Sequence, residues 1–224
     1  MKLPRVPVAV VFDMDGLLFD TETLYEQSSR AAARELGFEM TQAFFRSTVG
    51  SPWPVVRGRL IEHFGPDLAI DELHAISRRI FLELIHSKSL LKPGALELLD
   101  LLDELEVPRA IATSSSRATV ERHLAAHRLA GRFHHIVAHG DYVRHKPDPE
   151  PYLKAAEGLA VLPSLCLALE DSHHGVRSAA SAGMMTIMVP DLLPATDELR
   201  ALCLHIVTDL HDVHRVLLAG RQPA

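Results

Sequence analysis

Val8-Ala9-Val10-Val11-Phe12-Asp13-Met14-Asp15-Gly16 is the stretch that decides the fold. An unbroken apolar run reads as a strand buried on both faces, the signature of a parallel sheet. Such a run has no reason to end in two carboxylates and a glycine unless something binds there. In open α/β sheets ligands lie outside the carboxyl ends of the strands. Asp13 therefore stands at that mouth, and Gly16 lets the chain turn sharply away. Two close carboxylates repel, a cation between them relieves the repulsion, and hard oxygen ligands suit Mg²⁺. An Asp-x-Asp turn alone is a weak signal, so the weight falls on what else the chain brings to the same edge.

From Pro108 onward, short apolar runs alternate with helical patterns. Strands are expected at 109–113, 135–138, 165–169, 185–189 and 205–207. Helices are expected at 117–129, 150–158 and 175–182, with Gly183 stopping the last. This alternation predicts an α/β fold with a Rossmann-like, doubly wound parallel sheet. Between the first strand and Arg109 lie about 90 residues without a convincing strand, far more than one crossover helix needs. That stretch has helical periods instead. Leu24, Ser28, Ala32 and Leu36 fall at four-residue steps, and further periods cover 55–64 and 71–86. Leu98, Leu99, Leu102 and Leu105 form the buried stripe of a crossover helix at 95–105. The expected organisation is a catalytic core of residues 1–19 and 91–224. Residues 20–90 form an inserted, all-helical cap over Asp13, hinged near Phe19-Asp20 and Lys88–Gly94.

Composition narrows the classes. The chain has 224 residues and a net charge of -6, which argues against broad nucleic-acid binding. No segment approaches the run of about 18 apolar residues that a membrane span needs. Lys2 and Arg5 precede an apolar stretch, but Pro4 and Pro7 interrupt it and Asp13 ends it. A strand fits better there than a secretory signal. Cys166 and Cys203 sit inside apolar runs and read as reduced buried thiols. The expectation is a cytoplasmic protein with a small-molecule partner and neither nucleic acid nor membrane, its oligomeric state open.

Four strand ends carry polar residues. After Asp13 and Asp15, the second strand ends in Thr113-Ser114-Ser115-Ser116 and leads into a helix. Hydroxyls cap helices, and free amides at a helix start bind anions. The third strand leads to Lys146-Pro147-Asp148-Pro149-Glu150-Pro151, which holds Lys146 on a stiff turn before a helix. The fourth ends in Glu170-Asp171-Ser172. Capping or solvation explains each feature singly. Together they put carboxylates, hydroxyls, helix amides and a lysine at one sheet edge, the equipment of phosphoryl transfer.

Asp13-Met14-Asp15-Gly16, then Thr113 or Ser114, then Lys146-Pro147, then Glu170-Asp171-Ser172-His173-His174-Gly175 resembles, in order and spacing, the four motifs of the haloacid dehalogenase superfamily. Phe12 to Glu22 resembles the opening of its β-phosphoglucomutase-like and sugar-phosphate phosphatase subgroup, whose members carry a helical cap. The resemblance implies that Asp13 is the nucleophile, forming an aspartyl phosphate, and Asp15 the general acid and then base. It implies Mg²⁺ held by Asp13, the backbone carbonyl of Asp15 and Asp171, with Glu170 nearby. Thr113, with Ser114 behind it, and Lys146 would hold the phosphate oxygens. Thr113 aligns best with the single hydroxyl of the motif, and a shift of one residue would make it Ser114.

Competing activities part on single residues. Dehalogenases of the superfamily lack the second aspartate, so Asp15 favours phosphoryl chemistry. Phosphonate-cleaving members need a cap lysine, and none occurs from Leu3 to Ser87. The mutases carry a histidine where Tyr25 stands in Asp20-Thr21-Glu22-Thr23-Leu24-Tyr25. This favours a phosphatase acting on a small phosphorylated metabolite such as a sugar phosphate, with a phosphosugar mutase as the alternative should His63, His74 or His86 substitute. A non-catalytic phosphosugar-binding regulator would not need Asp15. Trp53, in a stiff cap loop with Gly50 to Pro54, either contacts substrate or anchors the cap. His134 and His135 are neighbours on a strand and would face opposite sides, which speaks against a metal site with His139.

Overall fold

The computed structural model describes residues 3–49, 53–87 and 90–220. Gly50–Pro52 of the expected cap loop, and Lys88 and Ser89 of the expected hinge, lie outside the described residues, as does the side chain of His86. The chain divides into two compact units, Met1–Asp20 with Leu91–Ala224, and Thr21–Leu90.

The first unit is an α/β fold. Its six strands are β1 (Ala9–Phe12), β2 (Arg109–Ser116), β3 (His135–His139), β4 (Cys166–Glu170), β5 (Met185–Met188) and β6 (His205–Ile206). They lie in the order β3-β2-β1-β4-β5-β6, and every pairing is parallel. All four residues of β1 are fully buried because β2 and β4 flank it and helices cover both faces. The direction of winding reverses between β1 and β4, which opens a crevice at their carboxyl ends.

The crossovers are α5 (Ala95–Glu104), α6 (Arg117–Ala126), α7 (Glu150–Gly158) and α8 (His173–Ser181), followed by α9 (Asp197–Leu202) and α10 (Leu210–Ala219). Leu98, Leu99 and Leu102 of α5 are buried as its stripe predicts, whereas Leu105 caps the helix and is only partly covered. Boundaries differ where caps decide them. β2 runs on to Ser116, which is itself the N-cap of α6, and α8 starts at His173 because Ser172 accepts from Gly175 N–H at 3.1 Å. The sequence reading passed over α9 and α10, each begun by a side-chain cap, Thr196 and Asp209.

The second unit holds α1 (Thr21–Glu35), α2 (Gln42–Thr48), α3 (Trp53–Phe64) and α4 (Ile70–Ser87). Ala32, Ala33, Met40, Leu60 and Leu73 are its buried centre. The short α2, capped by Thr41, is a further helix the sequence did not announce. Tyr25 is half exposed and stacks on Phe81 at 4.1 Å between ring centroids. Trp53 is also half exposed, packs 5.2 Å from the His74 ring, and helps line a cavity of about 80 Å³ with Phe44, Val56 and Leu60.

Candidate active site

Asp13 is the first residue beyond β1. Its N–H donates to Leu169 O of β4 at 3.0 Å, which fixes the carboxylate at the crevice where the winding reverses. Lys146, on the turn between β3 and α7, reaches the same point. Its Nζ donates to Asp13 Oδ1 at 2.5 Å and to Glu170 Oε1 at 2.6 Å, and its side chain is 7% exposed. Burial alone would depress the ammonium, but Asp13 and Glu170 outweigh it and hold Lys146 above the ordinary lysine value. A buried ammonium between two carboxylates is a fixed charge, and Tyr152 Oη is its further contact, at 3.4 Å.

Glu170 ends β4 and is fully buried. Oε1 also accepts from Tyr152 O–H at 2.6 Å. Oε2 accepts from the N–H groups of Asp171 and Ser172 at 3.1 and 3.2 Å, and from Ser172 Oγ at 3.0 Å. These donors occupy the lone pairs of both oxygens. Glu170 is therefore built to hold Lys146 and the start of α8. Gly175 makes room for it, since a Cβ there would lie 1.8 Å from Oε1.

Asp13, Glu170 and Asp171 are buried and each offers an oxygen, these atoms lying within 4.8 Å of one another. The backbone comes close on the other side. Gly16 has φ +84°, and a Cβ there would stand 2.3 Å from Asp171 Oδ2. Hard carboxylate oxygens converging beside closely approaching backbone fit Mg²⁺. With Glu170 saturated, Asp13 and Asp171 are the carboxylates left to hold the ion. The Asp15 side chain is not one of this group. Burial pushes the Asp13 carboxyl up to about 8; Lys146 opposes this, while Glu170 and Asp15 reinforce it.

The Asp15 side chain turns towards β2 instead. Its Oδ2 accepts from Ser115 Oγ at 2.7 Å and faces Thr113 Oγ1 at 3.4 Å. Thr113 is buried, and its carbonyl accepts from Tyr142 O–H at 3.1 Å. Ser114 is exposed, on the opposite side of the strand. The sequence reading passed over Ser115, although alternation along β2 pairs it with Thr113. It also passed over Tyr152, whose burial and bond to Glu170 no local pattern reveals. His123 is a third: buried in α6, it lies 5.0 Å from the Phe19 ring. Burial holds its pKa below the ordinary value, against the pull of Asp15.

Other sequence features lead elsewhere. His134 Nδ1 accepts from Arg109 N–H at 3.2 Å, and His139 stacks on His145, so no histidine metal site forms among the described residues. Burial raises the thiols of Cys166 and Cys203 to about 11, and both cysteines are free. No described helix is long and apolar enough to cross a membrane.

Comparison with known proteins gives the family and the fold. The family model described as haloacid dehalogenase-like hydrolase matches residues 10–189. The chain is 34% identical over 203 residues to the protein CbbY of Rhodobacter capsulatus, spanning 86% of this chain and 89% of that one. It is 33% identical over 184 residues to a phosphorylated carbohydrates phosphatase of Thermotoga maritima, spanning 80% and 83%. Among solved structures, CbbY from Rhodobacter sphaeroides in complex with phosphate superposes with a TM-score of 0.76 at 25% identity, over 92% of this chain and 96% of that one.

Proposed function

The chain belongs to the haloacid dehalogenase-like hydrolases, and from that premise we propose that it is a Mg²⁺-dependent phosphatase of a small phosphorylated metabolite, a sugar phosphate in the first instance. One observation carries this: Lys146 bridges Asp13 and Glu170 inside a buried group of three carboxylates at the end of β1. A protein that only bound phosphate on Lys146 would gain nothing from a carboxylate beside that ammonium, because carboxylate and phosphate repel. A nucleophile has to be there.

Asp13 Oδ would attack phosphorus, the P–O bond to the leaving group breaks, and an aspartyl phosphate remains. Asp15 delivers the proton to the leaving oxygen, then takes one from the water that attacks the same phosphorus and frees Asp13. Ser115 and Thr113 hold the Asp15 carboxyl in place for both steps. Lys146 keeps the charge of the transferred group compensated throughout. Bound Mg²⁺ would add Lewis-acid compensation of the charge between Asp13 and phosphate. The sugar preference rests on the relative named as a phosphorylated carbohydrates phosphatase.

Release of inorganic phosphate from a panel of phosphorylated metabolites, with and without Mg²⁺, tests this reading. Turnover of sugar phosphates that EDTA abolishes and Mg²⁺ restores is expected. Metal-independent turnover, or none across the panel, would overturn it. Tyr25 stands where a mutase carries histidine, so the same panel run with β-glucose 1-phosphate and a trace of bisphosphate should yield free phosphate rather than glucose 6-phosphate.

A further inference from the structure

Asp191 plays no part in the motifs above, yet it reaches the same place. It follows β5 as Val189-Pro190-Asp191, at the carboxyl edge of the strand next to β4. Its side chain is 10% exposed. Oδ1 is anchored: Lys92 Nζ donates to it at 2.7 Å. Lys92 is itself fixed, since its N–H donates to Leu18 O at 2.9 Å. Oδ2 is buried and receives no hydrogen bond from the described residues. A buried carboxylate oxygen left without a donor is costly, so its direction is informative. It points at Gly16: a Cβ built there would meet Asp171 Oδ2 at 2.3 Å and Asp191 Oδ2 at 3.3 Å. The two carboxylates thus flank one point of backbone. Asp191 nonetheless stands outside the group whose oxygens close to within 4.8 Å. It is one step too far to be a ligand and well placed to accept from a ligand.

We infer that Asp191 is a positioning residue for the divalent cation, its Oδ2 accepting a hydrogen bond from water in the cation's coordination shell while Lys92 locks the carboxylate in that orientation. Mg²⁺ sheds its waters reluctantly and keeps several when few carboxylates bind it directly. With Glu170 saturated by its own donors, such waters need acceptors from elsewhere, and partners of this kind govern affinity as the ligands do. The salt bridge fixes the direction: only one oxygen of Asp191 is left to face the site.

This inference rests on the Mg²⁺ reading above, and calorimetric titration of the full chain with MgCl₂ alone separates the two. Asp191→Asn keeps the shape and an acceptor for Lys92 but turns a donor towards the site. It should weaken Mg²⁺ binding about tenfold. Lys92→Met combined with Asp191→Asn, which leaves no buried ammonium unpaired, should weaken it to the same degree. The thermal midpoint of each metal-free variant is read alongside. Unchanged Mg²⁺ affinity in both variants would overturn the inference and leave the pair as a clamp between two loops, visible only in the midpoint. Absence of Mg²⁺ binding by the unmodified chain would overturn the cation reading itself, and this inference with it.

Discussion

Ser115 Oγ donates to Asp15 Oδ2 at 2.7 Å, a bond that ties the second aspartate of the opening motif to a strand a hundred residues later in the chain. The proposed acid and base is thereby held by a hydroxyl of β2. Thr113, at 3.4 Å, is a looser second contact. Asp13 lies against the Lys146 ammonium, whereas Asp15 accepts from the Ser115 hydroxyl.

Ser115→Ala should therefore slow turnover selectively. A hydrogen bond to a charged group is worth about 1.5–3 kcal/mol, so a loss of roughly tenfold in kcat is expected for sugar phosphates. An activated aryl phosphate, whose leaving group needs no proton, should lose far less. Equal losses on both substrates would show that Ser115 does not act through Asp15.

Gly175→Ala inverts the usual rule for helices. Alanine normally stabilises a helix over glycine by about 1 kcal/mol. Here its Cβ would fall 1.8 Å from Glu170 Oε1, displacing the carboxylate that holds Lys146. The variant should be less stable by about 1–3 kcal/mol in urea unfolding of the metal-free protein. A stabilised variant would mean that Glu170 is free to move.

Mg²⁺ affinity should depend on pH through Asp13. Its value is raised to about 8 in the folded chain, while an unfolded aspartate titrates near 3.9. The sign follows: the folded state favours the protonated acid, so this contribution to stability is full below the unfolded value and is lost as pH rises through about 8. The cation and the proton compete for one carboxylate. Apparent Mg²⁺ affinity should then climb by up to about tenfold per pH unit below 8 and flatten above it. Calorimetry from about pH 6 to about pH 9 reads this directly. An affinity flat across that range would show that Asp13 is already ionised without the metal.

Much of the fold was legible because parallel sheets advertise themselves. Val8–Phe12 and Leu165–Leu169 are apolar without a break and Met185–Val189 is interrupted only by the buried Thr186, as a strand covered on both faces requires. Asp13, Glu170 and Asp171 could be named as candidates because they follow such a run, and Lys146 because it opens a stiff proline turn. The helices α2 and α9 could not, since each is short and begun by one capping side chain rather than by a long periodic face, whereas the apolar stripe of α10, Leu210, Val213, Val216 and Leu217, was there to be read and was passed over. Ser115 was hidden among four consecutive hydroxyl residues. It becomes distinct only once β2 is known to continue past Thr113, because alternation then sets 113 and 115 on one side. Asp191 had no local mark at all: its burial depends on Lys92, far away in sequence.

The most direct test of the account is chemical identification of the phosphorylated residue. In Asp15→Asn protein the base for hydrolysis is gone, so an activated phosphate ester should load the enzyme faster than water unloads it. Acid quench, borohydride reduction and peptide mass spectrometry then read the acyl phosphate as homoserine. The account predicts homoserine at position 13 and none in Asp13→Asn protein of intact fold. Label at any other residue, or undiminished turnover by folded Asp13→Asn, would contradict it.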